Sequence, residues 1–189
     1  MFIKYLSDIA KEDGWTGTKL AVLLPMSAAI GSSKRIAQMK TALLEDNTLE
    51  AVFSLPAEIF YPGASVQACC MLFTLNQPHF GSDGAPKKQT FFGYYKEDGF
   101  KKKKNLGRVE QFNAEGRSRW KDIEKEWLDL YKNRTVKAGM SAMQAVTGDD
   151  EWLCEAYMKT DYSKLTEADF QKTINDYLAY LVKNGKVTA

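Results

Sequence analysis

Between two apolar runs the chain places Phe60, Tyr61, Pro62 and Gly63 in succession, inside the stretch LEAVFSLPAEIFYPGASVQACCMLFTL. Two adjacent rings can stack on a planar ligand, or plug the end of a sheet as core. Pro62 fixes φ near about −65° and Gly63 permits a tight bend, so together they can present a ring at a set angle. A second candidate is a run of cations, Lys101, Lys102, Lys103 and Lys104, with Arg108 nearby. Such a run can neutralise nucleic-acid phosphates. On a strand alternate side chains diverge, so the four cannot all face one partner. The competing reading is a solvated edge strand, where lysine opposes aggregation.

Groups for acid–base or nucleophilic catalysis are scarce, and none is assigned a catalytic role. His79 is the single histidine. It sits in a proline-rich loop and reads as a surface residue without a role, which argues against a histidine-dependent triad. Neither G-x-G-x-x-G nor G-x-x-x-x-G-K-[ST] occurs. Asp149, Asp150 and Glu151 read as the acidic start of a capped helix. Cys69 and Cys70 would point to opposite faces of a strand and are poor disulfide partners, and Cys154 stands alone. Three reduced, buried thiols imply a reducing compartment, the cytoplasm. With one histidine and no C-x-x-C pair, no metal site is expected.

The chain has 189 residues, 44% of them apolar and 26% charged, with a net charge of +2. That suits one domain with an appendage, and any basic surface must be local. The N-terminus lacks the continuous apolar core of a signal peptide, and no run approaches the ~20 residues of a membrane helix.

The elements that must position these residues follow from periodicity. Phe2, Ile3, Leu6 and Ile9 share one face of a helix over 2–12, which Gly14 to Gly17 ends. Leu20 to Leu24 is apolar throughout, as in a strand covered on both faces within a parallel sheet. Ser32 or Ser33 can cap a helix running to about Glu45, with Ile36, Met39, Leu43 and Leu44 inward. Leu49 to Leu55 and Ala68 to Leu75 read as strands, with a short helical turn at Ala57 to Phe60 between them. This order predicts the closing portion of a doubly wound α/β sheet. Asn76 to Lys88 reads as an exposed loop. Thr90 to Tyr95 predicts an aromatic strand that turns at Glu97 to Gly99 into a basic return strand, Asp98-Gly99 being a hairpin signal. Gly116 to Asn133 predicts a helix lined by Trp120, Ile123, Trp127, Leu130 and Tyr131, with Ser118 as its cap. Glu151 to Met158 reads as a short helix. Thr166 to Asp169 resembles a capping box before a last helix striped by Phe170, Ile174, Tyr177, Leu178 and Leu181, with Gly185 as its stop.

Three blocks, LAVLLPMSAAIG, LLEDNTLEAVFSLPAEIFYPGASVQACCMLFT and TFFGYYKEDGFKKKKNLGR, closely resemble in content and order the modification subunit of type I restriction–modification systems. DDEWLCEAYMKTDYSKLT is similar to the C-terminal region of some members. Those subunits are adenine-N6 DNA methyltransferases that use S-adenosylmethionine. The resemblance implies the C-terminal portion of a doubly wound, Rossmann-like methyltransferase sheet, followed by a β-hairpin and C-terminal helices. Residues 1–80 would close the catalytic domain, 81–115 would hold a linker and the basic hairpin, and 116–189 would be helical. It also implies that Tyr61, flanked by Phe60 and Pro62, faces the target base, since an aromatic ring restores part of the stacking that an extruded adenine loses. Lys101 to Lys104 and Arg108 would meet the DNA backbone. Tyr177, Tyr180 and Leu181 would meet a specificity subunit.

The sequence departs from that family in two places. The glycine-containing loop after the family's first strand is absent, and so is the [NDS]-P-P-[FY] motif after its fourth. Asn76 in NQPH is the only asparagine near a proline. The implied protein is therefore a piece of such a subunit: a truncation, half of a split gene, or an excised part. It would be inactive and free of cofactor by itself. Its Leu20 to Leu24 strand would pair with the missing N-terminal methyltransferase half, or with a second copy. The alternative is a non-enzymatic nucleic-acid-binding or protein-interaction module carried by the hairpin and its lysines.

Overall fold

The three apolar runs lie side by side. The computed structural model describes residues 2–31, 33–163 and 165–186. In it Lys19–Pro25 (β1), Thr48–Ser54 (β2), Ala68–Thr74 (β3), Thr90–Tyr94 (β4) and Ser141–Gln144 (β7) form one sheet in the order β1-β3-β2-β4-β7. β3 runs antiparallel to both β1 and β2, β4 is parallel to β2, and β7 is antiparallel to β4. The carboxyl ends of β1, β2 and β4 therefore share one end of the sheet. Phe100–Lys103 (β5) and Gly107–Glu110 (β6) pair in a separate two-stranded sheet. Among the described residues no helix is long and apolar enough to cross a membrane.

Helices pack on both faces, the expected α/β arrangement. Phe2–Glu12 (α1), Ser27–Ile30 (α2) and Lys34–Asp46 (α3) belong to one face, where Leu44, Leu49, Val52, Phe73, Phe92 and Trp152 are buried. Arg119–Lys132 (α4) covers the other, packing Trp127, Leu130 and Tyr131 on Ala51, Phe53 and Phe91. Ser33 caps α3, its side chain accepting from Ile36 N at 3.4 Å; Ser32 lies outside the described residues. Residues 160–189 form a second compact unit. Within it Glu167–Lys183 (α5) opens on the expected capping box: Thr166 N and Oγ1 donate to Asp169 Oδ2 at 2.8 and 2.7 Å.

A bulge places a deeply buried carboxylate. The β2–β3 register shifts between Leu49 and Ala51, so Glu50 is the extra residue and turns out of the ladder. Its carboxylate meets Lys19 at 3.0 Å, Lys88 at 2.8 Å and Arg134 at 3.3 Å, with Thr74 Oγ1 donating as well. Burial pushes its pKa up, but hydrogen bonds from Lys88, Thr74 and Lys19 and the charge of Lys88 outweigh it and hold it at about 2. Glu50 thus ties β1, β3, the segment before β4 and the segment after α4 to one point.

Several expectations give way. β1 is not a strand covered on both sides. It is an antiparallel edge strand, alternately exposed, with Leu23 57% exposed. Thr90 to Tyr95 is not half of a hairpin with the lysine strand. β4 joins the main sheet through non-local pairing with β2, and the lysine strand folds on β6 instead. β7 was not foreseen. The Glu151 to Met158 segment holds only a 3₁₀ turn, Cys154–Ala156, whereas Ala57 to Phe60 does curl in hydrogen-bonded turns that run on to Gly63. Asp150 closes a turn by accepting from Thr147 N and Oγ1, both at 2.7 Å, instead of opening a helix.

Burial along the helices also differs. Phe2 is exposed on α1, where Ile3, Ser7 and Ala10 face inward. On α3 Met39 is exposed and Lys40 is buried. The Lys40 ammonium donates to the carbonyls of Ala29 and Asp150 and lies 4.9 Å from the Trp152 ring centroid. Desolvation lowers its pKa. His79 is fully buried, its backbone N donating to Leu44 O and its Nε2 3.2 Å from Val146 O. Burial lowers its pKa, against the pull of the Val146 carbonyl. The side chain is core, not surface.

Candidate nucleic-acid interface

Both sequence-predicted functional segments leave the same end of the sheet. The aromatic loop departs from Ser54 at the carboxyl end of β2 and returns at Ala68. It is closed at its base by Leu55 N donating to Ala68 O at 3.1 Å. Inside it, Tyr61 N donates to Glu58 O and Ala64 N to Phe60 O, each at 3.0 Å, which curls the chain around Phe60 and Tyr61. Phe60 is 39% exposed and Tyr61 half-buried. The Tyr61–Pro62 peptide is cis.

The hairpin follows β4 and is held by contacts at its base. Asp98 Oδ1 accepts from Phe100 N at 3.0 Å while its Oδ2 takes Arg108 Nη2 at 2.5 Å. Gly99 O accepts from Gln111 N at 2.8 Å. Ser118, at the start of α4, donates its hydroxyl to Glu110 rather than capping the helix with it. Arg108 is therefore committed to Asp98, with its guanidinium 5.4 Å from the Phe100 ring.

Strand alternation separates the lysines as their spacing demands. Lys102 pairs across the hairpin with Arg108, while Lys101 and Lys103 take the alternate face, opposite Val109 and Gly107. Lys104 lies in the turn, and all four are exposed. Lys102 reaches the aromatic loop. Its ammonium stands 4.3 Å from the Tyr61 ring centroid and 3.5 Å from Glu58 Oε1. The turn glycine lies near the loop: a Cβ added to Gly107, φ +79°, would sit at ordinary contact distance, 3.9 Å, from Pro62 Cδ. Tyr61, Pro62 and Lys102 are thus brought together, although far apart in the chain. Glu58, Asp98 and Gly107 were not singled out by sequence reasoning. Only Asp98-Gly99 left a signal, and it was read as a turn between the wrong strands.

Beside the loop, the carboxyl end of the sheet carries a self-satisfied polar cluster. Ser54 Oγ donates to Glu155 Oε2 at 2.6 Å, Lys96 pairs with Glu155 at 3.4 Å, and Lys96 Nζ lies 3.8 Å from Met26 Sδ. Of the described buried side-chain atoms without partners, Asn76 Oδ1 and His79 Nδ1 lie away from this end of the sheet, while Arg108 Nε lies in the hairpin itself. Burial pushes the Cys69 and Cys154 thiols up to about 12, so neither is a nucleophile at neutral pH. All three cysteines are free. Among the described residues no cluster of His, Cys, Asp or Glu could hold a metal ion. What the arrangement offers is an aromatic platform beside a cationic strand, the pairing that binds unstacked bases and their backbone.

A family model for N-6 DNA methylases matches residues 1–183. The chain belongs to the N-6 DNA methylase family. It is 27% identical over 173 residues to the type II restriction enzyme and methyltransferase RM.BcgI of Heyndrickxia coagulans, a match over 90% of this chain and 25% of that protein. Its fold is similar to the type I restriction–modification methyltransferase subunit from Streptococcus thermophilus, with a TM-score of 0.51, 20% identity, and coverage of 75% of this chain and 26% of that one. The chain spans about a quarter of the length of these relatives.

On α5 the rings of Tyr177 and Tyr180 stack with centroids 6.4 Å apart, 60% and 50% exposed. Leu181 beside them is half-buried, and no α5 side chain is fully buried.

Proposed function

We propose that this chain is the sheet-closing, target-base-facing part of an S-adenosylmethionine-dependent adenine-N6 DNA methyltransferase of the type I restriction–modification kind. The observation that carries the reading is the meeting of Tyr61 and Lys102 at the carboxyl end of β1, β2 and β4, the end at which open α/β sheets receive ligands. An adenine extruded from the duplex stacks on Tyr61 with Phe60 and Pro62 beside it. The phosphate flanking the base meets Lys102, more distant phosphates meet Lys101, Lys103 and Lys104 on the other face and in the turn, and Arg108 braces the hairpin through Asp98. Stacking on one aromatic ring is worth about 1–3 kcal/mol per base.

The methyl donor supplies an electrophilic methyl group when bound. The polar groups at this end of the sheet do not fit it unaided, because Ser54, Lys96 and Glu155 answer one another. The donor pocket and the residues that orient the adenine amine therefore lie on polypeptide other than these residues, and the chain is inactive alone. The open edge of β1, with Leu23 exposed on its face, supports pairing with that polypeptide or, failing it, with a second copy. A specificity subunit meets Tyr177, Tyr180 and Leu181 on α5. The three free thiols support a cytoplasmic setting.

Calorimetric titration of S-adenosylmethionine, with light scattering on the same sample, tests this reading. The chain alone should give no saturable donor binding and should associate as concentration rises. Stoichiometric donor binding by a clean monomer would overturn it.

A further inference from the structure

The Tyr61 ring is not free in this structure. The Lys102 ammonium stands over its face at 4.3 Å, held from the side by Glu58 at 3.5 Å. A base stacked on that face would need the same space, since ring and ammonium are already at contact distance. Lys102 also carries the charge that a phosphate beside the base would attract. Glu58 and Lys102 are both exposed, 48% and 47%, so the ammonium can leave without unpacking the core. The opposite strand holds the hairpin still while it does so, through Arg108 and Asp98.

We propose that Lys102 is a latch on the base platform: with no nucleic acid bound it caps the Tyr61 ring, and a backbone phosphate draws it off so that the ring opens only where DNA is engaged. This rests on the base-facing reading of Tyr61 given above. It makes Lys102 a positioning residue with two opposing effects. It adds one phosphate contact, and it competes with the base for the ring. Lys101, Lys103 and Lys104 have no such competing contact with the ring.

The two effects separate in one experiment on the full chain. The probes are a short single-stranded oligonucleotide with one central adenine and its counterpart with an abasic site at that position, each titrated across a salt series. Wild type should favour the adenine probe. Lys102→Ala should lower the slope of log affinity against log salt by about 0.7, one phosphate contact on a single strand. It should also raise the adenine-to-abasic preference about two- to fivefold, the worth of an exposed ring–ammonium contact. Glu58→Gln, which loosens the latch but keeps the cation, should raise the preference and leave the slope unchanged. Lys103→Ala should lower the slope alone. If Tyr61→Ala abolishes the preference while Lys102→Ala leaves it unchanged, the latch is wrong and the base-facing reading stands. If wild type shows no preference, or does not bind either probe, both are wrong.

Discussion

A Cβ placed on Gly99 would stand 2.9 Å from the backbone nitrogen of Trp120, and Gly99 has φ +75°. The turn that launches the lysine hairpin is thus pressed against the first turn of α4 and needs glycine on both counts. Gly99→Ala should cost at least about 1–2 kcal/mol from the left-handed backbone alone. It should also push the hairpin off α4 and so separate Lys102 from Tyr61. Chemical denaturation reads the first effect, and the ring-shifted resonances of the Lys102 ε-methylene read the second. A variant with unchanged stability and unchanged resonances would show that the contact is not tight.

Glu50 makes stability depend on acid. In the unfolded chain its carboxyl titrates near ~4.3, and in the fold at about 2. Its folded pKa is depressed, so its contribution is whole above ~4.3 and drains away as pH falls toward about 2. Glu50→Gln should destabilise by about 2–3 kcal/mol at pH 7, less than the ~3–5 of a wholly buried pair, because its cationic partners are part-exposed and can be hydrated again. The variant should also lose the Glu50 share of the decline below pH 4.3, which urea midpoints measured from pH 7 to pH 2.5 check.

His79 acts in a higher window with the same sign. Burial lowers its folded pKa below the ~6.5 of the unfolded chain, so the unfolded state takes up the proton first. Stability should be full above ~6.5 and fall as pH drops toward the folded value. His79→Gln should flatten the difference between urea midpoints at pH 8 and pH 5.5. An equally steep dependence in the variant would contradict this account.

The edge of β1 should be sticky. Leu23→Lys places a charge on an exposed position of an edge strand, where lysine discourages pairing. The substitution should change unfolding free energy by no more than about 0.5 kcal/mol. It should nevertheless lower the apparent mass at high concentration by light scattering. Association that survives the change would move the contact elsewhere.

Local signals in the chain mark what local physics decides. The capping box at Thr166 and the apolar spacing of α1 and α4 were legible because each depends on neighbours a turn away. Three runs of β-branched, aromatic and aliphatic residues announced β1, β2 and β3. The pairing of β4 was not legible. Its partner β2 lies far back in the chain and runs parallel, and parallel pairing leaves no turn signature, whereas Asp98-Gly99 offered a false one. β7 is four residues, SAMQ, too short to alternate. Lys40 and His79 defied their types because carbonyls of Ala29, Asp150 and Val146 wait for them inside, and such acceptors cannot be read from a one-dimensional string. The meeting of Tyr61 and Lys102 was hidden for the same reason. Each segment was singled out by composition, but only the fold puts them at one end of one sheet.

The most direct test of the account is transfer of labelled methyl from S-adenosylmethionine to N6 of DNA adenine. It would be assayed for this chain, for a companion polypeptide carrying the glycine loop and the Asn-Pro-Pro-aromatic motif, and for their mixture. Label should appear only in the mixture. Tyr61→Ala should reduce it about 5- to 150-fold, the loss of one stacked base at ~1–3 kcal/mol, and Tyr61→Phe should retain most of it. Methylation by this chain alone, or a mixture no more active than the companion by itself, would contradict the account.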